Sequence, residues 1–215
     1  MPQQRPIILV GGGGHCLSVI EAAESAGMAI LGILDAPHLV GTRVLGHPVV
    51  GGDADMARYA AEADFIICVG AIRSAEVRRR LYAQVQQAGG RLGRIIASTA
   101  RVSAHASIGA GTVVLHHALV NAGAVVGENC IINSGAIVEH GCNIGAHVHL
   151  STGAVINGDC SVGDGSFVGS RAVVYQGCRI AERCVVAAGS VVRGNLDAPG
   201  LYAGNPAICK SGYEK

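Results

Sequence analysis

Residues 131–150 read Ile-Ile-Asn-Ser-Gly-Ala-Ile-Val-Glu-His-Gly-Cys-Asn-Ile-Gly-Ala-His-Val-His-Leu, and an aliphatic residue returns at every sixth position: Ile132, Val138, Ile144, Leu150. Stepped backwards, the series runs through Val126, Val120, Val114, Ile108 and Val102 to Ile96. Stepped forwards, it runs through Ile156, Val162, Val168, Val174, Ile180 and Val186 to Val192 without a break. Four residues after each aliphatic position the slot is small, as at Ala118, Ala124, Cys130, Ala136 and Cys142, with Val148 the larger exception. A fixed internal period decides the architecture, so it is read first. Each hexad offers one aliphatic side chain to a narrow interior from a short strand, and the small residue then lets the chain turn. Three hexads close a triangular coil, and coils stack at about 4.8 Å, the spacing of hydrogen-bonded strands. The pattern predicts a parallel β-helix domain with a C-terminal tail over residues 93–215.

Before Ile96 the pattern changes. Ile7–Val10 reads as a short buried strand, followed by Gly11, Gly12, Gly13 and Gly14 and a helical stretch over residues 15–26. A strand is expected over residues 29–34, ending at Asp35, then a loop containing Pro37 and Pro48 and a helix over 53–62. Residues 64–69 read as a third strand and 74–88 as a long helix carrying Arg78, Arg79 and Arg80. Strands alternating with helices predict a small α/β domain over residues 1–92, a parallel sheet half the size of a full dinucleotide-binding fold. The glycine run leaves backbone N–H groups free at a helix start, which suits a phosphate. As a dinucleotide fingerprint it fails, because the third glycine would fall at Cys16. A mononucleotide or nucleotide-linked sugar fits the half-sized sheet better, with Asp35 placed to meet it.

Composition narrows the classes further. The 215 residues carry a net charge of +1, which leaves no electrostatic footprint for nucleic acid or an anionic membrane. Half the residues are apolar, yet no run approaches the roughly 20 residues that span a bilayer. Eight cysteines without an export signal or a CxxC pair point to free thiols in a reducing cytoplasm. Five of them, Cys130, Cys142, Cys160, Cys178 and Cys184, fall in the small slot of a hexad and are expected as buried hydrophobes rather than nucleophiles.

The hexads resemble the hexapeptide-repeat family, whose fold is a left-handed parallel β-helix; the handedness is an implication of that resemblance. Zinc carbonic anhydrases share such a β-helix, but their paired histidines five residues apart have no counterpart here, so no metal is expected. The combination of GGGGH at residues 11–15, Glu139-His140, His149 and the closing Gly204-Asn205-Pro206-Ala207 is more specific. It resembles sugar acetyltransferases that join a nucleotide-binding domain to a hexapeptide β-helix, the bacillosamine and perosamine N-acetyltransferases and the sialic-acid O-acetyltransferases. The resemblance implies acetyl-CoA as co-substrate and a nucleotide-linked amino sugar as acceptor, in bacterial surface-glycan biosynthesis. O-acetylation of sialic acid or a related sugar acid is the alternative. It implies a homotrimer with acetyl-CoA between adjacent β-helices. His140 matches the general base and Asn133 a position that shapes the pocket. His149, Gly158, Ser170 and Ala188 match acetyl-CoA contacts, and Gly13, Gly14, His15 and Asp35 nucleotide-sugar contacts.

Two departures stand out. Several relatives have an acidic residue directly after the catalytic histidine, where this chain has Gly141. One coil onward from Gly141 lies Asp159, so its carboxylate is expected to occupy the missing side chain's space and orient His140. The turn at residues 69–74 is also longer than the corresponding turn of many relatives.

Overall fold

The computed structural model describes residues 5–72 and 74–210. Strand β1 (Ile7–Val10), helix α1 (Gly14–Ser25) and strand β2 (Ile30–Leu34) come first. Strands β3 (Arg43–Val44) and β4 (His47–Gly51) follow, then the short helix α2 (Met56–Tyr59), strand β5 (Asp64–Ile67), helix α3 (Glu76–Gln87) and strand β6 (Arg91–Leu92). The sheet order is β3-β4-β2-β1-β5-β6. β1 lies between β2 and β5 in parallel register, and Ile7, Ile8 and Leu9 are each 0% exposed. Such an unbroken aliphatic strand belongs in a parallel sheet covered on both faces. Ile7 and Leu9 pack with Cys16 and Ile20 of α1, while Ile8 and Val10 pack with Leu81 and Val85 of α3.

The loop expected around Pro48 is instead a hairpin. β3 and β4 pair antiparallel across Leu45 and Gly46, both at positive φ, the turn whose twist suits a tight hairpin. β4 also joins β2 in parallel. The helix expected over 53–62 is shorter: a 3-10 turn at Asp53–Asp55 leads into α2. Arg73, within the long turn at 69–74, lies outside the described residues.

From Ile95–Ile96 to Val191–Val192 the chain is a left-handed parallel β-helix of two-residue strands, Cys184–Val186 alone being longer. Face one contains Val113–Val114, Ile131–Ile132, His149–Leu150 and Phe167–Val168; face two contains Leu119–Val120, Ile137–Val138 and Val155–Ile156; face three contains Val125–Val126, Asn143–Ile144 and Ser161–Val162. The second residue of each strand points inward, and Val120, Ile132, Val138, Ile156 and Val174 are 0% exposed. The five hexad cysteines are buried free thiols in the same core. Ile96, first of the series, departs from the interior pattern at 39% exposure, because it lines the open foot of the coil with Val102 and Ile108. At the other end the tail is ordered: Gly200–Ala203 extends face one and pairs antiparallel with Ile208–Lys210.

The α/β domain sits on face one. Ile7, Leu9, Val19 and Ile20 share a single apolar cluster with Ile95, Val113, Leu115 and Ile131. The two domains are therefore fused through a common core.

Candidate active site

His140 follows the face-two strand Ile137–Val138 and precedes the face-three strand Asn143–Ile144, which puts it on the edge between those faces. Its side chain is 59% exposed. The ring lies over Gly158 one coil along, where an added Cβ would stand 2.6 Å from His140 Nε2. A side chain at 158 would push the imidazole off this seat. Asp159 Oδ1 stands 3.9 Å from His140 Nδ1, an ion-pair separation longer than a hydrogen bond. The same oxygen fills the space a Cβ on Gly141 would need. Glu139 points elsewhere, accepting a hydrogen bond from Asn121 Nδ2 at 2.9 Å.

A second group of polar residues gathers where face one meets the α/β domain. His149 is 6% exposed. Its Nδ1 donates to the Ala71 carbonyl at 2.6 Å and its Nε2 accepts from Asn133 Nδ2 at 3.1 Å, which defines the tautomer. Asn133 Oδ1 caps the next corner by accepting from Ser134 N–H. With both ring nitrogens engaged, His149 meets any ligand in this arrangement only through its carbon edge. His15 stands with its ring centroid 6.4 Å from that of His149, and its buried Nε2 has no partner. Burial, aided by the charge of Arg78, lowers the pKa of His15 to about 3 and that of His149 to about 4. Both rings are neutral at pH 7.

Gly13 and Gly14 open α1. Both are exposed, with nothing within 4 Å of an added Cβ, and no side chain caps the helix, so no side chain occupies the N–H groups at its start. Asp35 is tied to this loop: Oδ2 accepts from Gly12 N–H and Oδ1 from Ala36 N–H, each at 2.7 Å. The carboxylate expected to meet the nucleotide sugar thus first holds the glycine loop in place. Beside it, at the carboxyl ends of the parallel strands where α/β sheets bind ligands, lies a cavity of about 510 Å³ lined by Gly11, Asp35, Pro37, Asp53, Val69 and Arg80. A larger hollow of about 1000 Å³ at the open foot of the β-helix contains none of the expected site residues.

The expected residues fall into separate places on one chain. His140, Gly158 and Asp159 occupy the edge between faces two and three. Ser170 and Ala188 lie one coil apart on the edge between faces one and two, where Ser170 Oγ meets Ser151 Oγ at 3.0 Å. Asn133 starts the same edge, and His149, His15, Gly13, Gly14 and Asp35 are on the face-one side. The histidine edge is the one opposite face one. No metal cluster of three His, Cys, Asp or Glu side chains forms among the described residues.

Comparison with known proteins gives this arrangement its setting. Residues 6–85 match the PglD N-terminal domain, and residues 159–194 match the bacterial transferase hexapeptide repeats. The acetyltransferase domain of PglB from Neisseria gonorrhoeae is 31% identical, with 96% of this chain and 100% of that domain covered at a TM-score of 0.90. The chain belongs to this acetyltransferase family. The same PglB domain has been solved with acetyl coenzyme A. Perosamine N-acetyltransferase from Caulobacter crescentus, solved with CoA and GDP-perosamine, is 33% identical over 96% of this chain and 97% of that one, at a TM-score of 0.89. WeeI from Acinetobacter baumannii, at 22% identity, shares the fold. No curated protein sequence matches significantly. No described helix of this acetyltransferase is long and apolar enough to cross a membrane.

Sequence reading missed Gly12, Ala71 and Arg78. Gly12 carries a signal in retrospect, since it lies inside the glycine run; an added Cβ there would stand 2.7 Å from Asp35 Oδ2. Ala71 contributes only its carbonyl, which no side-chain pattern reveals.

Proposed function

We propose that this protein transfers the acetyl group of acetyl-CoA to the amine of a nucleotide-linked amino sugar, in a site assembled from two copies of the chain. The observation that carries the reading is the division of the matching residues between two edges of one prism. Within one copy Gly158 and the pair Ser170 and Ala188 lie on the two edges that bound face two; this reading seats acetyl-CoA where the His140 edge of one copy meets the face-one side of the next. A homotrimer closes such contacts by symmetry. The likeness to perosamine N-acetyltransferase supports an amine acceptor.

In this reading the nucleotide's base enters the cavity beside Asp35, and its phosphates meet the N–H groups of Gly13, Gly14 and His15 at the start of α1. The sugar amine is presented beside Asn133, with His149 on the acetyl-CoA side, and the neighbouring copy brings His140. With Nδ1 turned to Asp159, Nε2 accepts a proton as the amine nitrogen attacks the thioester carbonyl carbon. The C–S bond then breaks, and the imidazolium returns the proton to the departing CoA sulfur. An amide and free CoA result, with no acyl-enzyme. The reaction belongs in the cytoplasm, supplying acetamido sugars for bacterial surface glycans.

The test is CoA release from acetyl-CoA with a panel of nucleotide-linked 4-amino sugars and, separately, sialic acids. The expected product is an amide that survives mild base. Release only with sialic acids, giving a base-labile ester, would replace this reading with O-acetylation, and no release would remove it.

A further inference from the structure

The bulkiest fully buried side chain among the described residues is a charged one. Arg78, on α3, is 1% exposed and is met only by oxygens of carbonyl type. Nη1 donates to the carbonyls of Ile67 and Val69, each at 2.7 Å, and Nη2 to the Asn129 carbonyl at 3.1 Å and to Asn129 Oδ1 at 2.7 Å. Asn129 answers with Nδ2, which donates to the Arg78 carbonyl at 3.3 Å and contacts His147 Nδ1 at 3.0 Å. Burial lowers the arginine's pKa to about 10, so it is charged at neutral pH. Burying a guanidinium is costly unless its donors are paired; here both terminal nitrogens are paired, while the buried Nε has no partner. The apolar neighbours Leu81 and Val85 on the same face of α3 show that packing alone does not demand a cation here.

Around this contact α3 rests on four successive coils. Tyr82 reaches over Gly111 and donates to Glu128 Oε2 at 2.6 Å, Arg78 grips Asn129, the Tyr82 ring meets His147 edge-on, and Arg79 lies over Gly165. The Val69 held by Arg78 lines the cavity beside Asp35. Two residues on is Ala71, whose carbonyl takes the His149 proton.

We propose that Arg78 is a positioning residue for acetyl transfer: gripping the end of β5 and the Asn129 corner together, it keeps Ala71 on His149 and fixes the height of the nucleotide-sugar cavity along the β-helix. The inference rests on the shared-site reading, because that height sets where the sugar amine meets the neighbouring His140. An error of about 1 Å in such an approach can reduce rate about 100-fold.

The experiment uses Arg78→Lys, which keeps the charge but not the fork, and Asn129→Gly. The latter suits the φ of +52° at Asn129 and removes the side-chain grip. With GDP-perosamine and acetyl-CoA as probes, kcat is expected to fall about 10- to 100-fold in each variant, while KM for acetyl-CoA changes less than about 2-fold. Solvent exchange of the His149 Nδ1 proton, followed by NMR, is expected to quicken about 10-fold or more as the Ala71 turn loosens. Folded variants with wild-type kcat and wild-type exchange would overturn the proposal. Should the parent protein transfer no acetyl group, the shared-site reading fails, and the exchange rate still decides: unchanged exchange means that Arg78 does not hold the turn.

Discussion

An imidazole over a glycine and beside a carboxylate is the smallest unit of the proposed chemistry. His140→Ala is expected to lower kcat by at least about 100-fold, the low end for a general base, in a protein that melts as the parent does; an unchanged kcat would remove the histidine from the mechanism. Asp159→Asn is expected to lower kcat about 10-fold through lost orientation of the ring. Wild-type turnover would make Asp159 an ordinary corner residue. Cys142, close to His140, is tempting as a nucleophile, yet its Sγ points inward and donates to the Asn157 carbonyl at 3.1 Å. A serine hydroxyl can make the same bond, so Cys142→Ser is expected to retain turnover, and complete loss in a folded variant would revive thiol chemistry. The closeness of Asp159 to His140 was legible because coil stacking turns sequence spacing into spatial neighbours, whereas the choice of His140 itself came from the resemblance. Arg78 was not, since a charged residue on a helix reads as solvated. Its burial was nonetheless written in the spacing of Arg78, Leu81, Tyr82 and Val85, one stripe of a helix.

The β-helix was legible over nearly its whole length because its interior is one side chain wide, so every hexad repeats the same demand. The hairpin at residues 43–51 was not, because two-residue β3 shows no alternation and Pro48 reads as a strand breaker; Pro48 is tolerated opposite Arg43 on the hairpin. The glycine loop makes its own test. Gly12→Ala places a methyl group against the Asp35 carboxylate and must displace it from the loop N–H groups. KM for the nucleotide sugar is expected to rise about 10-fold, the loss of roughly one charged hydrogen bond, with KM for acetyl-CoA unchanged. Equal rises in both constants would mean that the loop does not belong to the sugar site alone.

The fused domains carry a pH dependence of their own. His149 is held neutral by burial, with a pKa near 4 in the folded protein against about 6.5 in an unfolded chain. Below pH 6.5 the unfolded chain gains a proton that the folded one refuses, so stability is full above that value and falls as pH drops toward 4. The slope contributed by this residue is up to about 1.4 kcal/mol per pH unit. Denaturant melts between pH 7 and 4 should display it, and His149→Gln should reduce the slope while leaving the share of His15, whose pKa is about 3; an identical slope in the variant would contradict the assignment. The shared site makes the strongest demand on the assembled molecule. His140→Ala and Asp35→Ala damage opposite sides of the proposed groove, so each alone should be impaired, His140→Ala through kcat and Asp35→Ala through KM for the nucleotide sugar. Co-assembled from denatured or co-expressed mixtures, the two variants should regain acetyl transfer to a nucleotide-linked amino sugar, because some grooves then pair an intact His140 with an intact sugar site. Mixed oligomers no more active than the average of the separate variants would contradict a site built from two copies.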